Sequence, residues 1–176
     1  VSSQLWPNVD NFLEGYSVVD KKIRYSSIGA SYTLESWTLS SEYSWVNSDL
    51  AIVKHVESGY LSLTYRTGDL SIFTVFGLVD SDVYVFDETI TVPPEFFPGY
   101  DEFVGGLTTA MNSFASNQTS VSLGARYELT DSVALKLQWT NTDIDKWGGA
   151  LWNSSTAESQ PETINTLLFG VSFIFQ

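Results

Sequence analysis

The stretch Asn165-Thr-Leu-Leu-Phe-Gly-Val-Ser-Phe-Ile-Phe175 decides the fold of this chain. Counted back from its last residue, alternate positions carry large apolar side chains: Phe175, Phe173, Val171, Phe169 and Leu167. The positions between them are smaller or more polar on average. A period of two over this length predicts a β-strand with one apolar face. A strand of this kind with a terminal aromatic residue is typical of an outer-membrane barrel, whose last strand lies against lipid.

Three hairpins upstream repeat this alternation, within 23–45, 61–78 and 121–139. Their connections alternate in length. The tight turns are predicted at 35–36, 67–68 and 130–132, and the long outer loops at 47–57, 80–119 and 141–161. Short turns at one end and long loops at the other are typical of outer-membrane barrels. We therefore predict antiparallel barrel strands over 23–176, preceded by an outer loop or poorly defined N-terminal segment, 1–22.

The alternation alone also fits a soluble β-sandwich, in which the apolar face is turned inward. Strand length favours the barrel, because several strands reach ten or more residues and tilted membrane strands need about 9–11. Aromatic placement favours it too, since barrels carry aromatic girdles at both membrane interfaces. The predicted girdle residues are Trp37, Tyr43, Trp45, Tyr65, Phe76, Tyr127, Trp139, Phe173 and Phe175. The predicted fold class is all-β, an antiparallel transmembrane β-barrel with seven visible strands.

The composition restricts the remaining classes. No apolar run approaches the roughly 18 residues that a spanning helix needs. Charged residues make up 16% of the 176 residues, aromatic residues 15%, and the mean hydropathy is −0.00. A net charge of −13 argues against nucleic acid as a partner, because nucleic-acid binders carry basic patches. Without cysteine, the chain has no disulfide framework, thiolate metal site or cysteine nucleophile.

Two segments resemble a known class of proteins. The stretch Gly124-Ala-Arg-Tyr-Glu-Leu-Thr-Asp-Ser-Val-Ala-Leu-Lys-Leu-Gln-Trp139 resembles the penultimate hairpin of Gram-negative porin-type outer-membrane proteins. The ending Leu168-Phe-Gly-Val-Ser-Phe-Ile-Phe175 is similar to their terminal strand, although Gln176 follows the final phenylalanine. The resemblance covers roughly the last 60 residues. It implies the cell outer membrane as location, outer-membrane lipid and lipopolysaccharide as partners, and a homotrimer as the common assembly.

The strand count leaves two alternatives open. Bacterial single-chain barrels have an even number of strands, and seven are visible. Either residues 9–19 contain an eighth strand, or the chain is the C-terminal portion of a larger barrel. The weak pattern before Ile23 favours the larger barrel. The difference matters because eight strands leave an interior filled by side chains, whereas sixteen or more leave a water channel.

The side chains opposite the apolar positions are the candidate pore lining: Glu42, Arg66, Arg126, Glu128, Lys136 and Gln138. If Leu129 faces Val133 across the third turn, Arg126 lies opposite Lys136. Like charges directly opposed on neighbouring strands are destabilising unless water or acids compensate. We interpret them as a charged patch on a pore wall that tunes ion selectivity. The alternative is a salt-bridged network inside a small barrel.

The acidic 80–119 loop is long enough to fold into a lumen, or else it is a solvated outer loop. We expect no enzyme, because the single histidine, His55, has no Gly-x-Ser-x-Gly motif nearby. No metal site or cofactor is predicted. The expected function is passive diffusion of small hydrophilic solutes or ions through a porin-like channel. The alternatives are a small non-conducting barrel with a structural or adhesive role, and a soluble β-sandwich that serves as a binding module.

Overall fold

The computed structural model describes residues 20–50, 53, 55–85, 99–145 and 162–174. Seven antiparallel strands form one sheet in which sequence neighbours are spatial neighbours throughout. In chain order the elements are β1 (Ile23–Leu34), β2 (Trp37–Ser48), β3 (Val56–Thr67), β4 (Leu70–Ser81), α1 (Tyr100–Asn112), β5 (Gln118–Thr130), β6 (Val133–Ile144) and β7 (Glu162–Phe173). The predicted all-β class and the seven antiparallel strands are confirmed.

The three tight turns lie together at one end of the sheet, the short-turn end. They occupy 35–36, 68–69 and 131–132. Two of them place a residue in the left-handed region, Glu35 at φ 50° and Gly68 at φ 57°. Positive φ values suit the twist of two-residue hairpin loops. The longer connections all leave from the opposite end, the long-loop end, where the strands extend a few residues farther than the sequence pattern predicts.

The strand register sorts the side chains into two contrasting faces. The apolar face carries large side chains in every strand, such as Trp37, Tyr65 and Ile72, which follow one another across β2, β3 and β4. The polar face carries small hydroxyl residues along the same strands, such as Ser40 and Ser62 in adjacent pairs. Alternation with a period of two on every strand produces this separation.

The apolar face is widely exposed to its surroundings. Leu137, Phe169 and Leu167 on β6 and β7 are 51%, 67% and 72% exposed. Among the described residues, the buried apolar side chains are only Met111, Ala115, Ala134 and Ile144. Contiguous exposed apolar area beyond a few hundred Å² marks a surface that another phase or molecule covers. Nothing in the described part of the chain packs across this face.

The strands slip past one another in one direction. The ladder row that starts at Trp37, the first residue of β2, passes through Ile72, the third residue of β4. It then reaches Leu137, the fifth residue of β6. Each strand is therefore displaced by about one residue from the previous one. With a rise of ~3.3 Å per residue and ~4.8 Å between strands, this slip corresponds to a tilt of about 35°. Transmembrane barrels have strand tilts of about 35–45°.

The two outermost strands run in the same direction. Within the described residues, β1 is paired only with β2 and β7 only with β6. Because direction alternates along the sheet, β1 and β7 are parallel to each other. An all-antiparallel closure therefore needs an odd number of further strands between them. The predicted strand within 9–19 lies outside the described residues.

The third turn differs from the sequence prediction. The opposition of Arg126 and Lys136 was predicted on the condition that Leu129 faces Val133, but a β-bulge between Glu128 and Thr130 places Thr130 opposite Val133. A bulge inserts one unpaired residue and shifts the register beyond it by one. Arg126 nevertheless lies directly opposite Lys136, as predicted. Leu129 is therefore not opposite Val133, whereas the predicted opposition of Arg126 and Lys136 is confirmed.

The connection between β4 and β5 contains a helix that the alternation does not reveal. Helix α1 follows Gly99, whose φ of 86° lies in the left-handed region, and its first turn contains Asp101 and Glu102. Acidic side chains near a helix N-terminus interact favourably with its dipole. No helix in the described ranges is long and apolar enough to cross a membrane.

Buried polar contacts attach this helix to the long-loop end of the sheet. The amide of Asn112, only 3% exposed, accepts from the backbone N–H of Tyr84 at 2.7 Å and donates to the Tyr84 carbonyl at 3.0 Å. The Ser81 hydroxyl donates to Asn117 Oδ1 at 2.9 Å and accepts from the Ser116 N–H at 2.8 Å. The end of α1 and the residues that lead into β5 are thereby held to the last residue of β4 and to the segment just after it.

Replacement of Asn112 by alanine should release this attachment. It leaves the Tyr84 backbone groups without these buried partners, which costs about 1–3 kcal/mol of local stability. We expect amide protons of α1 to exchange about 10- to 100-fold faster by hydrogen exchange, since exchange reports local opening. Asn141→Ala is the control, because Asn141 donates to Asn165 Oδ1 at 3.1 Å in an exposed site. Equal exchange in both variants would contradict the anchoring role.

Candidate functional site: the polar face of the sheet

All six predicted pore-lining residues lie on the polar face. In the strand ladders, Arg66 is opposite Ser71, which is opposite Arg126, which is opposite Lys136. Gln138 and Glu128 occupy the same face one position away on β6 and β5, and Glu42 lies farther along β2. The structure thus brings Arg66, Arg126, Lys136 and Glu128 together near the short-turn end. It leaves Glu42 apart, toward the long loops.

Hydroxyl side chains pair across neighbouring strands over much of this face. Ser31 and Ser40 are 2.9 Å apart, and Ser44 and Ser58 are 2.7 Å apart. Ser122 and Thr140 are separated by 2.8 Å, and Gln138 Nε2 donates to both, at 3.3 and 3.1 Å. Hydroxyl pairs on opposed positions stabilise a sheet by a few tenths of a kcal/mol, about 0.2–1 each. The result is a surface of short side chains whose hydroxyl groups hydrogen-bond to one another.

A shallow groove of about 300 Å³ crosses this surface between β2 and β5. Its lining includes Glu42, Tyr60, Gly77, Gln118 and Ser120. Gly77 is essential to its depth, because a Cβ at this position would lie 2.9 Å from the Ser120 hydroxyl. The lining also includes Leu78 and Val79, so the groove combines apolar surface with one carboxylate, one phenol and several small polar groups.

The basic row is defined as Arg66, Arg126 and Lys136, which share one ladder row with Ser71 between them. Arg126 is ion-paired: its Nε donates to Glu128 at 2.8 Å and one terminal nitrogen donates to the other carboxylate oxygen at 3.4 Å. Arg66 donates through Nε to the Gly68 carbonyl at 3.3 Å. Within the described ranges, neither Arg66 nor Lys136 forms a salt bridge.

An aromatic side chain lies beside the basic row. The Phe73 ring covers Gly124 on the adjacent strand, and a Cβ at Gly124 would overlap that ring. The Lys136 Nζ lies 5.1 Å from the centre of the same ring. A cation within about 6 Å of a ring face is attracted by its quadrupole. Phe73 therefore supports the ammonium group above the polar face. Phe73 was not among the predicted lining residues, although the alternation places it on this face.

The predicted girdle residues within the described ranges all lie on the apolar face. Trp37 and Tyr65 are directly opposed, with ring centres 4.7 Å apart, and Tyr43 and Trp45 are 5.9 Å apart. Phe175 lies outside the described residues. The apolar character ends toward the long loops, where this face carries Arg24, Asn47, Glu57, Asp80, Thr119, Asp143 and Thr163. On β2 the apolar band runs from Trp37 to Trp45, about 26 Å along the strand.

The single histidine lies at the long-loop end, just before β3. His55 Nδ1 is 2.9 Å from Asn47 Oδ1, and its Nε2 is 3.0 Å from a Glu57 carboxylate oxygen. A carboxylate oxygen and an amide oxygen only accept hydrogen bonds, so both ring nitrogens donate here. The hydrogen bond with Glu57 raises the pKa of His55 above its usual 6.5, and the negative charges of Glu57 and Asp82 add to this effect. The imidazolium form is thus favoured here.

A titration of this histidine should give a pKa above 6.5 that falls toward the ordinary value in Glu57→Gln. Because the folded-state pKa is raised, the stabilisation is present below the unfolded value and is lost as pH rises through the folded value. Ring NMR can follow the titration without ambiguity, since the chain has one histidine. Asp145→Gln serves as the distant acidic control. An unchanged His55 titration in Glu57→Gln would refute the pairing.

Protein-family models, curated proteins and solved structures were compared with this chain. None of the comparisons gives a match.

Proposed function

We propose that this sheet is part of the wall of a porin-type barrel in the bacterial outer membrane, and that the barrel conducts small hydrophilic solutes or ions by passive diffusion. In this arrangement the apolar face lies against lipid and the polar face lines a water-filled lumen. The short-turn end faces the periplasm, and the long-loop end faces outward.

The observation that carries the proposal is the opposite character of the two faces of one sheet. The apolar face is widely exposed, whereas most polar-face side chains of β2 to β6 are half-buried or buried. A side chain such as Leu137 is half exposed, while the neighbouring Gln138 bonds to hydroxyls on the other face. Burying exposed apolar area is worth about 25 cal/mol per Å², so an uncovered face of this size is strongly unfavourable in water. Lipid removes that cost, because every strand presents its apolar side to the same phase.

Two further features agree with a membrane-spanning wall. The strands contain 12 or 13 residues, which is sufficient for tilted strands to cross a bilayer. The apolar band along β2, projected at a tilt of about 35–40°, has a height of about 20 Å, against about 25 Å for outer-membrane barrels. Beyond Trp45 the apolar face turns polar, as expected where a strand leaves the hydrocarbon region.

The conducting form is favoured by the size of the side chains on the polar face. Between β1 and β6, much of that face consists of serine, threonine and glycine, and it retains an open groove beside Gly77. A small closed barrel fills its interior with side chains. Short hydroxyl residues instead leave room for water and bind it readily.

A second candidate is supported by a different observation. Tyr60, Phe73, Val75 and Val79 form an apolar patch on the polar face of β3 and β4. Such a patch suits a covered interior, as in a small barrel with a structural or adhesive role and no pore. The two candidates differ in conductance.

Single-channel recording on the native protein, extracted in detergent and inserted into planar bilayers, tests the proposal. Stepwise, ohmic conductance increments that scale with bulk salt conductivity are expected for a water-filled pore. Insertion into the bilayer without conductance would contradict the channel and support the non-conducting barrel. Solubility and a compact fold without detergent would overturn the membrane assignment.

A further inference from the structure

We infer that the basic row Arg66, Arg126 and Lys136 is a binding site for small oxyanions, the carboxylate or phosphate groups of solutes that pass along the polar face. The inference rests on the proposed function only in requiring that water reach this face. It assigns to the site a class of ligand that the diffusion channel by itself does not specify.

Charge on the polar face is separated along the strands. Every lysine and arginine on this face of the seven strands lies in the basic row, although the chain as a whole has 8 Lys+Arg against 21 Asp+Glu. The acids of the same face are Glu42 and Glu162, toward the long loops, and Glu128 beside the row. Other acids of this end, Glu35, Asp69 and Asp131, belong to the turns beyond the row.

The row contains more positive charge than its neighbours neutralise. Arg126 and Lys136 face each other directly on adjacent strands, an arrangement that costs stability unless an anion intervenes. Glu128 provides one negative charge, which is bound to Arg126 through two hydrogen bonds and also interacts electrostatically with Arg66. On the polar face itself, one carboxylate beside three cations leaves an excess of positive charge that a further anion would neutralise.

The geometry of the row suits an oxyanion. Arg66 and Lys136 flank Ser71 and Arg126, so that cationic N–H groups and one hydroxyl lie along three strand spacings, about 14 Å. Phe73 supports the Lys136 ammonium at 5.1 Å without taking up its three N–H donors. Guanidinium and ammonium donors form strong, charge-assisted hydrogen bonds with carboxylate and phosphate oxygens.

Anion-dependent stability of the native protein in detergent tests this inference without requiring conductance. Inorganic phosphate and succinate, each compared with chloride at equal ionic strength, should raise the unfolding temperature. In Lys136→Gln the apparent affinity should fall about tenfold, and Arg66→Gln should add to the loss. Phosphate alone acting would identify a phosphate site, and succinate acting equally would identify a general oxyanion site. Lys22→Gln removes the same charge at the long-loop end and should respond like the wild type.

Lys136→Arg protects the test against simple misfolding, because it keeps the charge and should retain most of the anion response. Equal unfolding temperatures in phosphate, succinate and chloride for the wild type would overturn the oxyanion site. Equal anion responses of Lys136→Gln and the wild type would overturn it as well. The failures are distinguishable. Anion binding without conductance would support the oxyanion site and contradict the channel. Conductance without an anion response would support the channel and contradict the oxyanion site.

Discussion

An arginine in place of Leu137 is expected to destabilise the protein in a lipid bilayer by about 2–4 kcal/mol, the range for a charge near the midplane of the lipid face of a barrel. Leu137 lies within the apolar band of β6 and is 51% exposed. In the proposed arrangement its neighbour is hydrocarbon, in which a guanidinium has no water and no partner. Reversible urea unfolding in phosphatidylcholine vesicles, followed by tryptophan fluorescence, gives the free energy of unfolding.

The next residue in the same strand provides the control. Gln138 points to the polar face, where its amide contacts Ser122 and Thr140 at the edge of the hydroxyl pairs. Gln138→Arg adds the same charge to the same strand and should change the free energy of unfolding by less than about 1 kcal/mol. Equal effects at 137 and 138, or no effect at 137, would contradict a lipid-facing apolar band.

Alanine at Gly124 should destabilise the sheet by about 2–3 kcal/mol, near the upper end of the usual cost of overpacking. Its Cβ would lie 2.8 Å from the backbone carbonyl oxygen of Leu137 and would overlap the Phe73 ring. The ring can turn aside, but the carbonyl belongs to the ladder between β5 and β6 and cannot move without disturbing it. The same urea titration measures the loss, and removal of the ring in Phe73→Ala/Gly124→Ala should recover only part of it.

Gly170 is the matched position, because it lies on the polar face of β7 and a Cβ there would meet only the Lys136 Cβ at 4.0 Å. Gly170→Ala should be neutral or slightly stabilising, since alanine restricts the unfolded chain more than glycine does. If Gly124→Ala were as well tolerated as Gly170→Ala, the close packing of the Phe73 ring over Gly124 would be wrong.

The sheet itself was predictable because its cause is local. A period of two, maintained through Leu123, Leu137 and Phe169, determines which side chains share a face, and the tight turns determine which strands are neighbours. The opposition of Arg126 and Lys136 followed from that register. The two faces could therefore be assigned before any coordinates were known, and so could the membership of the candidate pore lining.

The features that were missed depend on contacts between distant segments. Helix α1 carries apolar residues at helical spacing, Phe103, Leu107 and Met111, which a search for strand alternation does not detect. Its position depends on Asn112 reaching Tyr84, 28 residues away. The bulge at Glu128–Thr130 shifts the pairing beyond it by one residue, and no glycine marks its position in the sequence. Arg66 was predicted as a lining residue, but its place in the basic row required the exact slip between β3 and β5.

In the proposed arrangement the apolar face meets lipid and the polar face meets water. The chain contains no cysteine, so single cysteines can be introduced at each position from 135 to 140 and labelled with a nitroxide. In vesicles, collision with oxygen should be high at 135, 137 and 139, and collision with a water-soluble nickel chelate should be high at 136, 138 and 140. Low accessibility to both reagents at 135, 137 and 139 would mean that this face is buried in protein, and the membrane wall would have to be abandoned.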